Sequence, residues 1–93
     1  MVKVKRSAIH GKGLFSTRDL AKGTLLGYCK TRPAEDVESP YVIWMEEGPL
    51  EVLCDLKYIN HSPRPNVAYY DDLSVMTLRA VKAGEELTHN YEQ

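Results

Sequence analysis

The sequence lacks the features of membrane-spanning and secreted proteins. No apolar run approaches the roughly 18 residues that a membrane helix requires. Residues 2–6 read Val-Lys-Val-Lys-Arg, so the apolar core of a secretory signal is missing. We therefore expect neither a membrane protein nor a secreted one. The expected location is the cytoplasm, or the nucleus by diffusion.

Cysteine is scarce, and the histidines are scattered. Cys29 and Cys54 are separated by 24 residues and do not have the CxxC spacing of metal or redox motifs. His10, His61 and His89 include no pair at the spacing of metal ligands. The sequence permits a disulfide, but we expect two free, partly buried thiols and no metal site.

Helical periodicity is also absent. No segment repeats its apolar residues with a period of 3.6 over 11 or more positions, and at most one helical turn is expected near Leu56 to Ile59. Short apolar runs instead flank turn signals at residues 46–49 and 71–73. With 93 residues there is no room for a second hydrophobic core. The sequence predicts one domain over residues 1–93, mainly β, built from many short strands.

Charge of both signs is present but unevenly distributed. The net charge is −1, yet residues 1–32 sum to +7 and residues 33–93 to −8. One interpretation is that the two parts pack together and neutralise each other. The other is that an acidic face attracts a basic partner.

Three polar clusters interrupt the predicted strands, at residues 11–15, 57–66 and 84–91. The first contains Gly11 and Gly13, which allow the backbone to approach a ligand closely, although such a pair between strands is usually a turn. In the second, two prolines stiffen a path that presents several hydrogen-bonding side chains, which is also typical of a polar loop. Each cluster alone is weak evidence of a site.

Taken in order, these clusters resemble the motifs of the SET domain, the protein lysine methyltransferase family. Gly11-Lys12-Gly13-Leu14-Phe15 is similar to the family's Gly-x-Gly-Leu-Phe motif, and residues 22–28 resemble a strand that ends in a pocket tyrosine. Residues 60–66 match the signature Asn-His-Ser-x-x-Pro-Asn, and residues 78–88 with Tyr91 match the last motif. The resemblance extends from Ser7 to Tyr91.

The resemblance implies a small SET-type (β-clip-like) fold, in which the last motif threads past the Asn60 segment in a knot-like arrangement. It also implies that S-adenosyl-L-methionine is the cofactor. The backbone would contact it at the first motif, the Asn60 side chain would bond to it, and His61 would do so through its backbone. The implied cofactor-binding residues are Gly11, Lys12, Gly13, Asn60, His61 and Tyr91.

The resemblance makes Tyr91 the catalytic tyrosine and places Tyr28 and Tyr69 in the lysine channel. The implied reaction is attack of a neutral lysine amine on the methyl carbon of a sulfonium, which needs no metal. A free lysine has a pKa of about 10.4, and a desolvated channel near a positive charge lowers it. Tyrosine hydroxyls can aim the amine, and aromatic faces tolerate a cation. Six of the eight aromatic residues are tyrosine; we expect Tyr41, Tyr58 and Tyr70 to be ordinary amphipathic strand residues.

The sequence departs from the family pattern at several positions. Pro63 stands where cysteine is common, Lys57 replaces a frequent arginine, and Asn90 replaces a common aspartate. His89 occupies a position where the family usually has tyrosine or phenylalanine. That position helps to set how many methyl groups are added, so the product state is open.

The sequence ends two residues after Tyr91, whereas family members continue into a segment that covers the cofactor. We therefore interpret the chain as a minimal SET domain without this post-SET segment. Three expectations follow: another subunit or the substrate supplies the cover, the activity is weak, or the sequence is part of a longer protein. An unfinished site also predicts a homodimer, because exposed surface favours association.

The leading functional hypothesis is an S-adenosylmethionine-dependent lysine methyltransferase acting on a basic, lysine-containing protein, with a histone-like protein as one class. The alternative is a non-catalytic SET-like module that binds a protein partner and binds cofactor weakly or not at all. A third interpretation is a small nucleic-acid-binding β-domain. The acidic part of the chain argues against direct nucleic-acid binding.

Overall fold

The computed structural model describes residues 1–36, 38–39, 41–46 and 48–91. Within them the chain forms short β-strands and one 3-10 turn, which confirms the mainly β class and the helical turn near Leu56. The elements are β1 (Val2–Arg6), β2 (Lys12–Ser16), β3 (Leu25–Tyr28), β4 (Thr31–Pro33), β5 (Val42–Met45), β6 (Gly48–Val52), the turn η1 (Asp55–Tyr58), β7 (Asn60–His61), β8 (Val67–Tyr69), β9 (Ser74–Thr77) and β10 (Thr88–His89).

The strands form small sheets with mostly antiparallel pairing. β1 pairs with β2, β9 lies between β3 and β8, and β6 lies between β4 and β5. The pairing of β5 with β6 and of β8 with β9 confirms both predicted hairpins. Glu47, part of the first predicted turn, lies outside the described residues. The two glycines at positions 11 and 13 were expected in a loop between strands. The loop is shorter, because β2 begins at Lys12 and pairs with β1 as far as Arg6.

The core lies where β2, β8 and β9 meet the segment before β10. Leu14, Val67, Val75 and Leu87 are all fully buried. The Leu87 N–H donates to the Leu14 carbonyl at 2.8 Å, which ties the end of the chain to its beginning. The basic first third of the chain is therefore packed directly against the acidic remainder.

Among the described residues, one ion pair joins the two oppositely charged parts. Arg32 of β4 contacts Glu51 of the neighbouring strand at 2.6 Å. The pair is largely exposed, so its contribution to stability is small, about 0–1 kcal/mol.

Both cysteines are free, with Cys29 buried and Cys54 half-buried, as the sequence predicts. The part of the chain that the structure describes contains no helix with the length and apolarity needed to cross a bilayer.

The second and third polar clusters meet through a short parallel pairing of β7 with β10, in which Thr88 lies opposite Asn60 and His89 opposite His61. Asn66 reinforces this pairing. Its buried side chain donates to the Glu86 carbonyl at 2.8 Å and accepts from the Thr88 N–H at 2.8 Å. The loop after β7 is thus hydrogen-bonded to the segment that leads into β10. The knot-like threading itself stays a prediction.

We expect Asn66→Ala to lower the free energy of unfolding by about 2–4 kcal/mol, because it leaves two buried backbone groups without partners. Chemical denaturation measures the change. Arg64→Ala, an exposed substitution in the same loop, is the matched control and should change stability by less than about 0.5 kcal/mol. Equal stabilities of the two variants would contradict this role of Asn66.

Candidate functional site

Two of the three predicted catalytic tyrosines lie together. The hydroxyl oxygens of Tyr69 and Tyr91 are 3.3 Å apart. The Tyr91 hydroxyl donates to the Ile59 carbonyl at 2.7 Å, and the Tyr69 hydroxyl donates to the Leu56 carbonyl at 3.0 Å. Since each hydroxyl has a single hydrogen, this geometry leaves lone pairs on both oxygens. The tyrosine pair can therefore accept hydrogen bonds from a third group placed beside it.

Burial keeps both hydroxyls protonated. It raises the pKa of Tyr91 to about 12, against a smaller lowering by the adjacent Tyr69 hydroxyl. Burial also raises the pKa of Tyr69, and the adjacent Tyr91 adds to that increase. At neutral pH the pair consists of neutral hydroxyls, which orient a ligand by hydrogen bonding and do not act as phenolate bases.

His89 completes an aromatic cluster with the tyrosine pair. Its ring is perpendicular to that of Tyr91 at 4.7 Å between centroids and nearly perpendicular to that of Tyr69 at 4.8 Å. Its Nδ1 lies 3.4 Å from the Val67 carbonyl, which can only accept, so Nδ1 carries the hydrogen. Burial lowers the pKa of His89, opposed by this bond, with a further lowering from His61. The imidazole is therefore neutral at neutral pH.

The side chain of His61 has a role that the sequence did not reveal. Its Nδ1 accepts a hydrogen bond from the backbone N–H of Tyr91 at 3.2 Å. Sequence reasoning assigned His61 a backbone contact only. The register of β7 against β10 brings this side chain beside Tyr91, two residues after β10, and that pairing is not visible in the sequence.

Asn60 holds the first glycine motif in place. Its side-chain nitrogen lies 3.1 Å from the carbonyl oxygens of His10 and Lys12, and it donates to Glu86 at 2.9 Å. The Ser7 hydroxyl contacts both oxygens of the same carboxylate at 2.8 Å. Glu86 therefore anchors Asn60 and the start of the chain together. Sequence reasoning missed it as a site residue, because an acid in a predicted turn resembles a solvated surface charge.

Gly13 is required by this arrangement. A methyl group at this position would overlap the Glu86 carboxylate. The glycine thus allows the backbone of the first motif to lie against the carboxylate and its Asn60 partner. Gly13 itself is buried, whereas Gly11 and Lys12 are exposed to solvent.

A cavity of about 500 Å³ opens beside the first motif. Five of the six predicted cofactor-binding residues line it: Gly11, Lys12, Asn60, His61 and Tyr91. Tyr41, Lys57 and Tyr58 line it too. The rings of Tyr41 and Tyr58 meet edge to face at 6.0 Å, and the Lys57 ammonium lies about 5 Å from each ring. These two tyrosines are therefore wall residues of the cavity, contrary to the expectation of ordinary strand positions.

A second cavity, of about 600 Å³, also borders the tyrosine pair. Trp44, Asp71 and Asn90 are among its lining residues, together with the aromatic cluster. Tyr91 lines both cavities. The arrangement can hold one ligand in each cavity, with both ligands beside Tyr91.

Tyr28 is not brought to this cluster. Its side chain is 61% exposed, and it lines neither of the two cavities. The register explains this placement. Gly27 and Tyr69 both lie opposite Val75, whereas Tyr28 lies opposite Ser74, so Tyr28 and Tyr69 project from opposite faces of the sheet. Its predicted role in the channel stays a prediction.

Among the described residues there is no group of three His, Cys, Asp or Glu that could hold a metal ion.

Comparison with known proteins shows the family and the fold of the chain. A family model of the SET domain matches residues 11–92, a span that contains every predicted site residue. The fold is similar to the crystal structure of a Plasmodium falciparum protein named "putative histone methyltransferase", with a TM-score of 0.82 and 18% identity, over 100% of this chain and 98% of that chain. At this identity the likeness shows the fold, and it confirms the predicted SET-type architecture. No curated protein sequence matches the chain.

The raised tyrosine pKa values predict a loss of stability at high pH. Unfolded tyrosines ionise near pH 10, whereas Tyr91 does so only at about 12 in the folded chain. The stability that depends on its neutral hydroxyl is fully present below pH 10 and is lost as pH rises toward 12. We expect this loss to be about 2–3 kcal/mol for Tyr91.

Denaturation at stepped pH values measures this loss. Tyr91→Phe should lose less stability over this interval than the wild type, since its ring cannot ionise. Tyr70→Phe, which removes an exposed hydroxyl, is the control and should behave as the wild type. Identical pH dependence in Tyr91→Phe and the wild type would contradict the assignment.

Proposed function

Because the chain belongs to the SET domain family, we propose that it is a lysine methyltransferase that moves a methyl group from S-adenosylmethionine to a basic protein. Members of this family are generally lysine methyltransferases that use this cofactor. The observation that carries the proposal is that Tyr91 lines both cavities. A methyl donor in one cavity and a lysine in the other would meet at its hydroxyl.

The first cavity suits the cofactor. Its volume of about 500 Å³ lies within the roughly 300–1,000 Å³ of small-molecule sites. Lys12 and Lys57 offer positive charge for the carboxylate of the cofactor's methionine part, and the rings of Tyr41 and Tyr58 offer apolar faces for a nucleobase. Gly11 and Lys12 contribute to its wall, and the missing side chain of Gly13 lets the same backbone lie against the Glu86 carboxylate.

The bound cofactor would supply an activated methyl group on a sulfonium. The residues of the chain prepare the lysine. A substrate ammonium in the aromatic cluster is desolvated, which lowers its pKa and favours loss of its proton to solvent. The hydroxyl oxygens of Tyr69 and Tyr91 can then accept hydrogen bonds from the neutral amine. Two acceptors held by backbone carbonyls aim the amine lone pair toward the first cavity.

The second cavity suits a basic substrate. Among the described residues that line it, Asp71 carries a negative charge and none is lysine or arginine. Residues 33–93, which supply all of its lining, have a net charge of −8. Such a surface attracts cationic segments. Histones are one such class of substrate, and the name of the similar Plasmodium protein points to the same class.

The direct test is transfer of a labelled methyl group from S-adenosylmethionine to a lysine-rich protein. We expect Tyr91→Phe to lower the rate by about 100-fold or more, because the amine loses one of its two orienting acceptors. Tyr70→Phe is the matched control. Tyr70 is exposed and lines neither cavity, so this variant should retain the wild-type rate.

Calorimetric titration with S-adenosylmethionine separates this function from its alternative, a non-catalytic SET-like protein-binding module. Binding by the wild type and by Tyr91→Phe, together with transfer by the wild type alone, would support the enzyme. Absence of binding at millimolar cofactor would favour the binding module. Equal rates in Tyr91→Phe and the wild type would remove Tyr91 from the mechanism.

We also propose a homodimer. Tyr28 and Tyr70 lie at one end of the β3–β9–β8 sheet, on either side of Ser74, and they are 61% and 43% exposed. Burial of such side chains favours association. Light scattering at micromolar concentration should give twice the mass of one chain, and Tyr28→Ser should shift the mass toward one chain. A wild-type mass of a single chain would contradict the dimer.

A further inference from the structure

The two cysteines are brought opposite each other by the pairing of β4 with β6. That ladder continues one step beyond the strands, since the Leu53 N–H donates to the Lys30 carbonyl at 2.7 Å. In an antiparallel ladder each step outward on one strand is matched by a step on the other. The next opposed pair after Lys30 and Leu53 is therefore Cys29 and Cys54.

The position of this pair in the ladder suits a covalent bond. Hydrogen-bonded and non-hydrogen-bonded pairs alternate, and the single bond from the Leu53 N–H to the Lys30 carbonyl marks that pair as a hydrogen-bonded position. Cys29 and Cys54 thus occupy a non-hydrogen-bonded pair, where the Cα atoms are about 4.5 Å apart. Disulfides span Cα separations of roughly 4.4–6.8 Å. The bond can therefore form with little movement of the backbone.

The two thiols are close enough to influence each other. Burial raises the pKa of Cys29 to about 12, and the neighbouring Cys54 adds to that increase. The two thiols differ in exposure: Cys29 is 7% exposed, whereas Cys54 is half-buried. A small reagent would therefore meet Cys54 first.

The cysteine pair is next to the segment that anchors the catalytic tyrosines. Cys54 directly precedes η1, and its carbonyl accepts from the Lys57 N–H at 2.9 Å. The carbonyls that accept from the hydroxyls of Tyr69 and Tyr91 belong to Leu56 and Ile59, within and just after η1. Whatever restrains Cys54 therefore restrains the acceptors of the tyrosine pair.

We propose that Cys29 and Cys54 are a reversible modification site, at which a low-molecular-weight disulfide such as oxidised glutathione converts the two thiols into an intramolecular disulfide. The bond closes the loop between the cysteines and restrains η1. It stiffens the segment that holds the hydroxyls of Tyr69 and Tyr91. This inference does not rest on the proposed methyl transfer.

The reaction takes two exchange steps. The Cys54 thiolate attacks a sulfur of oxidised glutathione, forming a mixed disulfide at Cys54 and releasing one glutathione thiolate. The Cys29 sulfur then attacks the Cys54 sulfur and releases the second glutathione. Its proton passes to the departing thiolate. Two protein thiols are oxidised to one disulfide, and one glutathione disulfide is reduced to two glutathione thiols.

Intact mass analysis of the full chain tests the site. Reduced protein is treated with oxidised glutathione, quenched in acid and alkylated after unfolding. The wild type should take up no alkyl groups and be two hydrogen atoms lighter than the reduced protein. Cys29→Ser should carry one glutathione on Cys54, since it has no second thiol to resolve the mixed disulfide. Cys54→Ser should retain an alkylatable Cys29, because that thiol is buried.

A wild type that keeps both thiols, or that accumulates the glutathione adduct at Cys54, would overturn the site. So would a disulfide that joins two chains, seen by electrophoresis without reductant. These readouts need no enzymatic activity. Failure of methyl transfer and failure of this inference can therefore be told apart.

Amide hydrogen exchange tests the coupling to the tyrosine anchor. The N–H groups of Lys57 and Ile59 close the η1 turn, donating to the carbonyls of Cys54 and Leu56. We expect their exchange to slow several-fold in the oxidised wild type and to recover after reduction. In oxidant-treated Cys29→Ser the exchange should match the reduced protein. Equal exchange in the oxidised and reduced wild type would overturn the coupling.

Discussion

The whole site depends on one short parallel pairing, between β7 and β10. It consists of only two residues on each strand, too few to be stable alone, and it persists because Asn66 bonds to the backbone on the β10 side of it. The pairing orients Asn60 toward the first cavity and carries His89 and Tyr91 to the second. This one pairing therefore positions residues that line both cavities, although its two strands are far apart in the sequence.

The two cavities differ in charge, and the residues between them carry none. Lys12 and Lys57 line the first cavity, and Asp71 lines the second. Burial keeps the hydroxyl of Tyr91 protonated and the imidazole of His89 neutral. A site of this kind directs an anionic group to one side and a cationic side chain to the other. It adds no competing charge where they would meet.

Much of the architecture could be predicted from the sequence, because it depends on local rules. Short apolar runs between turn signals correctly predicted a mainly β fold and both hairpins. Asn60 and Tyr91 could be proposed because their motifs are contiguous. Glu86 and the His61 side chain could not, since their partners lie across a parallel pairing that no local pattern encodes. Tyr28 was grouped with the other tyrosines by motif order, yet its strand register turns it to the opposite face.

The sequence was sufficient for the family, because its motifs resemble those of the SET domain, and for the strand content, because short apolar runs alternate with turn signals. Which of the motif residues meet was decided by the tertiary structure alone. Side chains alternate between the two faces of a strand, so a register difference of one residue separates Tyr28 from Tyr69. A single continued ladder step sets Cys29 against Cys54. Register is a property of paired strands and packed cores, and it exists only once the chain has folded.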